Sequence, residues 1–129
     1  MAEKIFEDTI KFIKEVQSNL GNHYKENVYQ NALYYELNNN GYTCQTEVVV
    51  PIVYKNFHVG FERADVVIYQ DGTPVFIIEL KSQNQRLANK EIQQLKKYMK
   101  NLDCNCGILV NFYDTLEITR IFEDVCQKI

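Results

Sequence analysis

Residues 63–81 read RADVVIYQDGTPVFIIELK, and the fold follows from how this stretch pairs with itself. Two apolar runs flank Asp71-Gly72, a dipeptide suited to the tight turn of a β-hairpin. Three charged residues stand near the outer ends of those runs: Asp65, Glu79 and Lys81. Charges beside apolar strands are costly unless they are paired or bound to an ion. Antiparallel pairing about residue 72 sets Asp65 opposite Glu79 and on one face with Lys81, because strand side chains alternate. The same register gathers Val66, Ile68, Phe76 and Ile78 on the other face, and a slip of one residue scatters both sets. Two carboxylates and a lysine so placed can hold a divalent cation and a water beside a phosphate.

Helices precede the hairpin. Ile5, Phe6, Ile10, Ile13, Val16 and Leu20 recur at helical spacing over residues 3–20. A second helix is predicted over 25–39, with Val28, Tyr29, Ala32, Leu33 and Leu37 inward, Asn22 as its cap and the run Asn38 to Gly41 as its stop. Residues 43–54 are rich in β-branched side chains, with Pro51 marking an edge or a bulge, and Lys55-Asn56 reads as a turn. Beyond the hairpin, a polar helix fits 84–100 with Ile92, Leu95, Tyr98 and Met99 inward. Strands are predicted over 106–111 and 116–122, and the last residues fray or turn helical. The order is α-α-β-β-β-α-β-β, an α/β chain with a mixed sheet, since a helical crossover precedes the strand at Cys106.

The 129 residues suit a single domain, 1–129, with 46% hydrophobic and 24% charged residues. No apolar run approaches the roughly 20 residues of a membrane span, and the N-terminus has no secretory apolar stretch. The expectation is a cytoplasmic protein, or one of the host cytoplasm for a viral chain. Of the cysteines, only Cys104 and Cys106 are close-spaced, a weak metal signal. They read, with Cys44 and Cys126, as small buried or half-buried thiols. A net charge of −3 argues against broad coating of nucleic acid, without excluding a local basic face. Arg86, Lys90, Lys96, Lys97 and Lys100 cluster, and alone they read as a solvated helix face.

Five stretches in order carry a resemblance: LGNHYKENVYQNALYYEL (20–37), VGFERADVVI (59–68), IIELKS (77–82), QLKKYM (94–99) and GILVNF (107–112). A helix with an acid, a sheet with D…E-x-K and a helix with glutamine resemble the PD-(D/E)xK nuclease superfamily, and within it the GxxExxY family. The glycine of that family's name falls at His23, and the "PD" position is Ala64-Asp65. The resemblance implies a restriction-endonuclease-like core with helices flanking the sheet. It implies metal-dependent hydrolysis of phosphodiester bonds in nucleic acid, usually DNA, with Mg²⁺ as cofactor and Mn²⁺ able to replace it. It makes Asp65 and Glu79 metal-binding carboxylates, Lys81 the catalytic lysine, Glu26 the helix acid and Gln94 the glutamine of the later helix.

Elementary chemistry is consistent with those roles. The carbonyl of Leu80 can add a third oxygen for the ion. Lys81 can orient a water or stabilise the transition state, and its neighbouring carboxylates favour its charged form. Glu26 can bind the ion directly or through water, or it can simply interact with its helix dipole. Arg63, Ser82 and Tyr98 are candidates for substrate contact, against the alternatives of an ion pair for Arg63 and a core place for Tyr98. The competing reading of Asp65, Glu79 and Lys81 is a structural salt bridge. The competing function is a catalytically silent nuclease-fold module that binds nucleic acid or a protein partner. A homodimer would match duplex symmetry, but no sequence feature fixes the oligomer.

Overall fold

The computed structural model describes residues 2–129. The elements are α1 (Ala2–Leu20), α2 (Glu26–Asn39), β1 (Thr43–Tyr54), β2 (Phe57–Gln70), β3 (Thr73–Lys81), α3 (Asn89–Asn101), β4 (Cys106–Asn111), β5 (Glu117–Phe122) and β6 (Val125–Lys128). One sheet orders the strands as they occur in the chain. Every neighbouring pair is antiparallel except β3 and β4. Parallel neighbours cannot be joined by a tight turn, and α3 supplies the crossover. This mixed α/β arrangement is consistent with a restriction-endonuclease-like fold.

The register about residue 72 is the observed one: Val66 faces Ile78, Val67 faces Ile77 and Ile68 faces Phe76. Nearer the tip, a shift between Ile68 and Tyr69 brings Tyr69 to Pro74 and Gln70 to Thr73. Asp71 (φ 52°) and Gly72 (φ 78°) then close a two-residue turn in left-handed backbone.

The sheet is covered on both faces. α1 and α2 place Phe12, Ile13, Val16, Tyr29, Leu33 and Leu37 against Val66, Ile68, Phe76, Ile78 and Leu80. α3 places Leu95, Tyr98 and Met99 against Val67, Ile77, Leu109 and Ile121. Gly107 allows the close approach of α3, since a Cβ there would lie 2.9 Å from Met99 Sδ. β3 and β4 are therefore the central, doubly covered strands, which is why they read as continuous apolar runs.

Three expectations are corrected. The element order gains a ninth member: Glu123 and Asp124, both at positive φ, turn the chain into β6, a short exposed strand with no alternation to announce it. α3 starts at Asn89, not Asn84, because the Glu91 carboxylate accepts the Ala88 N–H at 2.7 Å and fixes the first turn there. Asn22 does not cap α2. Extended Lys25 precedes the helix with no side-chain cap, and Asn22 instead donates to the Asp114 carbonyl.

Candidate active site

Two backbone N–H groups interlock the acids at the end of the hairpin. Asp65 N–H donates to Glu79 Oε1 at 2.8 Å, and Leu80 N–H donates to Asp65 Oδ2 at 2.8 Å. The β2–β3 ladder runs only from Gln70 to Val66. At Asp65, carboxylates take the place of the strand-to-strand bonds, so both acids are held by the sheet itself. Glu79 is buried and Asp65 half-buried.

That burial is electrically strained. Loss of solvent pushes the Asp65 carboxyl up to about 6, with the charges of Glu26 and Glu47 adding to the rise. The Leu80 N–H and the charge of Lys81 oppose it. Glu79 is pushed well above the usual carboxylate range, first by burial and then by repulsion from Asp65. Both effects favour a neutral acid in the free protein. A hard divalent cation would reverse that preference, and it needs only one or two carboxylates, with water completing the shell. The donor set fits such an ion. Among the described residues, no three His, Cys, Asp or Glu side chains form a ready ligand group, and the charge of Glu26 acts on Asp65.

Of the helix candidates, Glu26 acts electrically on Asp65, and Tyr98 lies within the field of both acids. Glu26 opens α2 and is exposed. The loop before it is tied down twice. Ser82 Oγ donates to the Tyr24 carbonyl at 2.5 Å, and Tyr29 Oη donates to the Gly21 carbonyl at 2.7 Å while its ring stacks on Phe112 at 4.3 Å. Ser82 and Tyr29 therefore fix where Glu26 stands relative to Lys81. Gln94 is half-buried on α3, one turn before Tyr98. Tyr98 is buried in the α3-side core, and burial together with the charges of Glu79, Glu62 and Asp65 raises its hydroxyl pKa. Arg63 is exposed, its guanidinium over the Phe61 ring at 5.6 Å from the centroid.

His23 adopts φ +76°, the left-handed backbone that favours glycine. Histidine tolerates it better than most residues do. Its ring meets Asp114 Oδ1 at 2.9 Å and lies against Tyr113 at 4.6 Å between centroids.

Three residues of this region escaped the sequence reading. Glu47 lies opposite Asp65, between the pairs Thr46–Val66 and Val48–Ala64, and is itself left-handed at φ 53°. Strand alternation inverts here: Ala64 joins the α3-side core together with Val67, although strict alternation would separate them. Buried Gln30 spans the two strands, donating to the Asp65 carbonyl at 2.9 Å and to Glu47 Oε2 at 3.1 Å. Buried Asn111 donates to the carbonyls of Gln83 and Gln85 and accepts the N–H groups of Gln83 and Tyr113. It clamps the loop that follows Lys81. A lone acid in the β-branched run TEVVV was the available signal for Glu47. Gln30, one turn after Glu26, was the other.

A cavity of about 580 Å³ lies at the far end of the sheet beside Cys104 and Cys106, away from these residues. A family model described as the PD-(D/E)XK nuclease superfamily matches residues 3–121. No curated protein and no solved structure matches the chain. Among the described residues, no helix is long and apolar enough to cross a membrane.

Proposed function

The chain belongs to the PD-(D/E)XK nuclease superfamily, and from that premise we propose that it is a Mg²⁺-dependent nuclease acting on DNA, of the GxxExxY type. The observation that carries the reading is the interlocked, desolvated pair Asp65 and Glu79, with the charge of Lys81 acting on both. A structural salt bridge on a sheet surface needs neither the burial nor the repulsion between two acids.

Asp65, Glu79 and the Leu80 carbonyl would hold the ion, with Glu26 reaching it through water. When bound, the ion polarises the phosphate and makes a bound water easier to deprotonate. Mn²⁺ would serve as well. Lys81 holds a positive charge where negative charge builds on the phosphoryl oxygens. Gln94 would hydrogen-bond the phosphate or Lys81. Arg63 is free of any ion pair among the described residues and can meet a backbone phosphate.

The test is cleavage of linear, supercoiled, single-stranded and branched DNA, and of RNA, with Mg²⁺ or Mn²⁺, by the natural chain beside Asp65→Ala and Lys81→Ala. The expected result is metal-dependent cleavage of DNA that both substitutions abolish. Cleavage that survives both would remove this site from the reaction. Retention of nucleic acid without cleavage of any substrate would assign the chain to a silent binding module.

A further inference from the structure

Another cavity, of about 410 Å³, lies where the chain leaves the candidate site. Gln83, Asn84, Gln85 and Arg86 line it, on the loop that follows Lys81. Asn111, which pairs with Lys81 across β3 and β4, lines it too, as does Tyr113. These walls are pinned. Asn111 bonds the backbone of Gln83 and Gln85, and Glu117 Oε1 accepts the Leu87 N–H at 3.0 Å. The His23 ring lies against Tyr113, and its Nε2 meets Asp114. The tip of the loop is left open: its bonds run through the Gln83 side chain and the Gln85 carbonyl, while the side chains of Asn84, Gln85 and Arg86 are exposed without a partner among the described residues. A held loop with unpartnered polar tips is suited to a ligand, because little freedom is lost when one binds.

We propose that this cavity takes an unpaired base of the substrate strand beside the cleaved phosphate, so that the substrate is nucleic acid with a single-stranded end, flap or branch. The inference rests on the reading of the chain as a nuclease. Size selects one nucleotide. The volume falls within the roughly 300–1,000 Å³ of small-ligand sites, which a duplex cannot enter. Side-chain amides carry donors and an acceptor together, and that matches the edges of a base freed from its pair. A base still in a duplex has its edge paired and its faces stacked, so it cannot reach them. Tyr113 supplies a ring for the base to lie on. Charge agrees. Arg86 and Lys128 line the cavity and form no ion pair among the described residues, so the flanking phosphates would meet two cations. The acids there are already engaged, Asp114 with His23 and Glu117 with the Leu87 N–H. A net charge of −3 gives the chain little general attraction for duplex backbone, and base contacts supply affinity that charge does not.

Binding is read by fluorescence anisotropy on the full chain with chelator present, so that nothing is cut. The probes are a blunt duplex, the same duplex with about four unpaired thymidines on both ends of one strand, and that duplex with abasic extensions of equal length. The thymidine-extended duplex is expected to bind at least about tenfold tighter than the blunt one. Tyr113→Ala is expected to lose that gain, as is Arg86→Ala with Lys128→Ala, both with unchanged circular dichroism. Tyr113→Phe, which keeps the ring, should retain it. So should Lys100→Ala, a cation lining the cavity at the far end of the sheet. Equal affinity for the blunt and extended duplexes would overturn the proposal, as would a gain that survives Tyr113→Ala. A gain that the abasic extensions reproduce would overturn it too, by making the cavity a phosphate site. Cleavage with Mg²⁺ decides the nuclease reading separately. The gain without cleavage would keep the subsite and remove the enzyme, and cleavage of blunt duplex without the gain would keep the enzyme and remove the subsite.

Discussion

Two polar clusters sit side by side at one end of the sheet and are built on opposite terms. Asn111, which pairs with Lys81 across β3 and β4, is buried and makes four hydrogen bonds with the loop after Lys81 and with Tyr113. Asp65 and Glu79, one strand away, accept one backbone N–H each and repel each other in a desolvated place. Buried polar groups in folded proteins are normally satisfied, as Asn111 is. The acids are instead left short of positive charge. One cluster holds the fold, and the other keeps a stressed charge pair that an ion would relieve.

The largest effect that could break this contrast is on activity. Asp65→Asn and Lys81→Met are each expected to lower DNA cleavage by about 10³-fold or more, with urea midpoints close to that of the natural chain. Next comes Asn111→Ala, which orphans two carbonyls and two N–H groups. It is expected to cost about 2–4 kcal/mol in urea unfolding; no loss would mean that the clamp is not structural.

Glu79→Gln should act in the opposite sense on stability. With chelator present at neutral pH it is expected to raise stability by about 1–2 kcal/mol while abolishing cleavage. Stability should also depend on pH. The Asp65 carboxyl rises from its ordinary 3.8 to about 6 in the folded chain, so the folded state binds the proton more tightly. Its contribution is full below the unfolded value and is lost as pH rises through the folded one. The metal-free chain is therefore expected to melt at progressively lower temperature from about pH 4 to beyond pH 6. Mg²⁺ or Mn²⁺ should restore the loss at neutral pH, and Asp65→Asn with Glu79→Gln should flatten the slope. The smallest effect belongs to His23. Its substitution by alanine keeps the left-handed strain and loses the Asp114 contact, at about 1 kcal/mol. His23→Gly removes both and should change thermal stability by less than that.

What the sequence made legible was set by local periodicity. The turn at Asp71-Gly72 and the alternation of Val66, Ile68, Phe76 and Ile78 announced the hairpin, and the small shift at Ile68–Tyr69 left the distant pairing unchanged. The inward faces of α2 and α3 were legible for the same reason. β6 was not, because Val125 to Lys128 has neither alternation nor a buried face. Nor were Gln30 and Asn111, each a single polar residue in an otherwise ordinary run.

The sequence by itself determined the hairpin pairing that sets Asp65 and Glu79 at one end of the strands, since a turn and a period of two decide it locally. Only the tertiary structure decided what surrounds them. Glu47 reaches Asp65 from a separate strand, Gln30 reaches its carbonyl from a helix 35 residues away, and Asn111 clamps its loop from 28 residues away. The rise in both carboxyl pKa values comes first from loss of water. That loss exists only once β1, β4 and the helices have closed over the hairpin, because no spacing along a chain can state how much solvent a distant element will exclude.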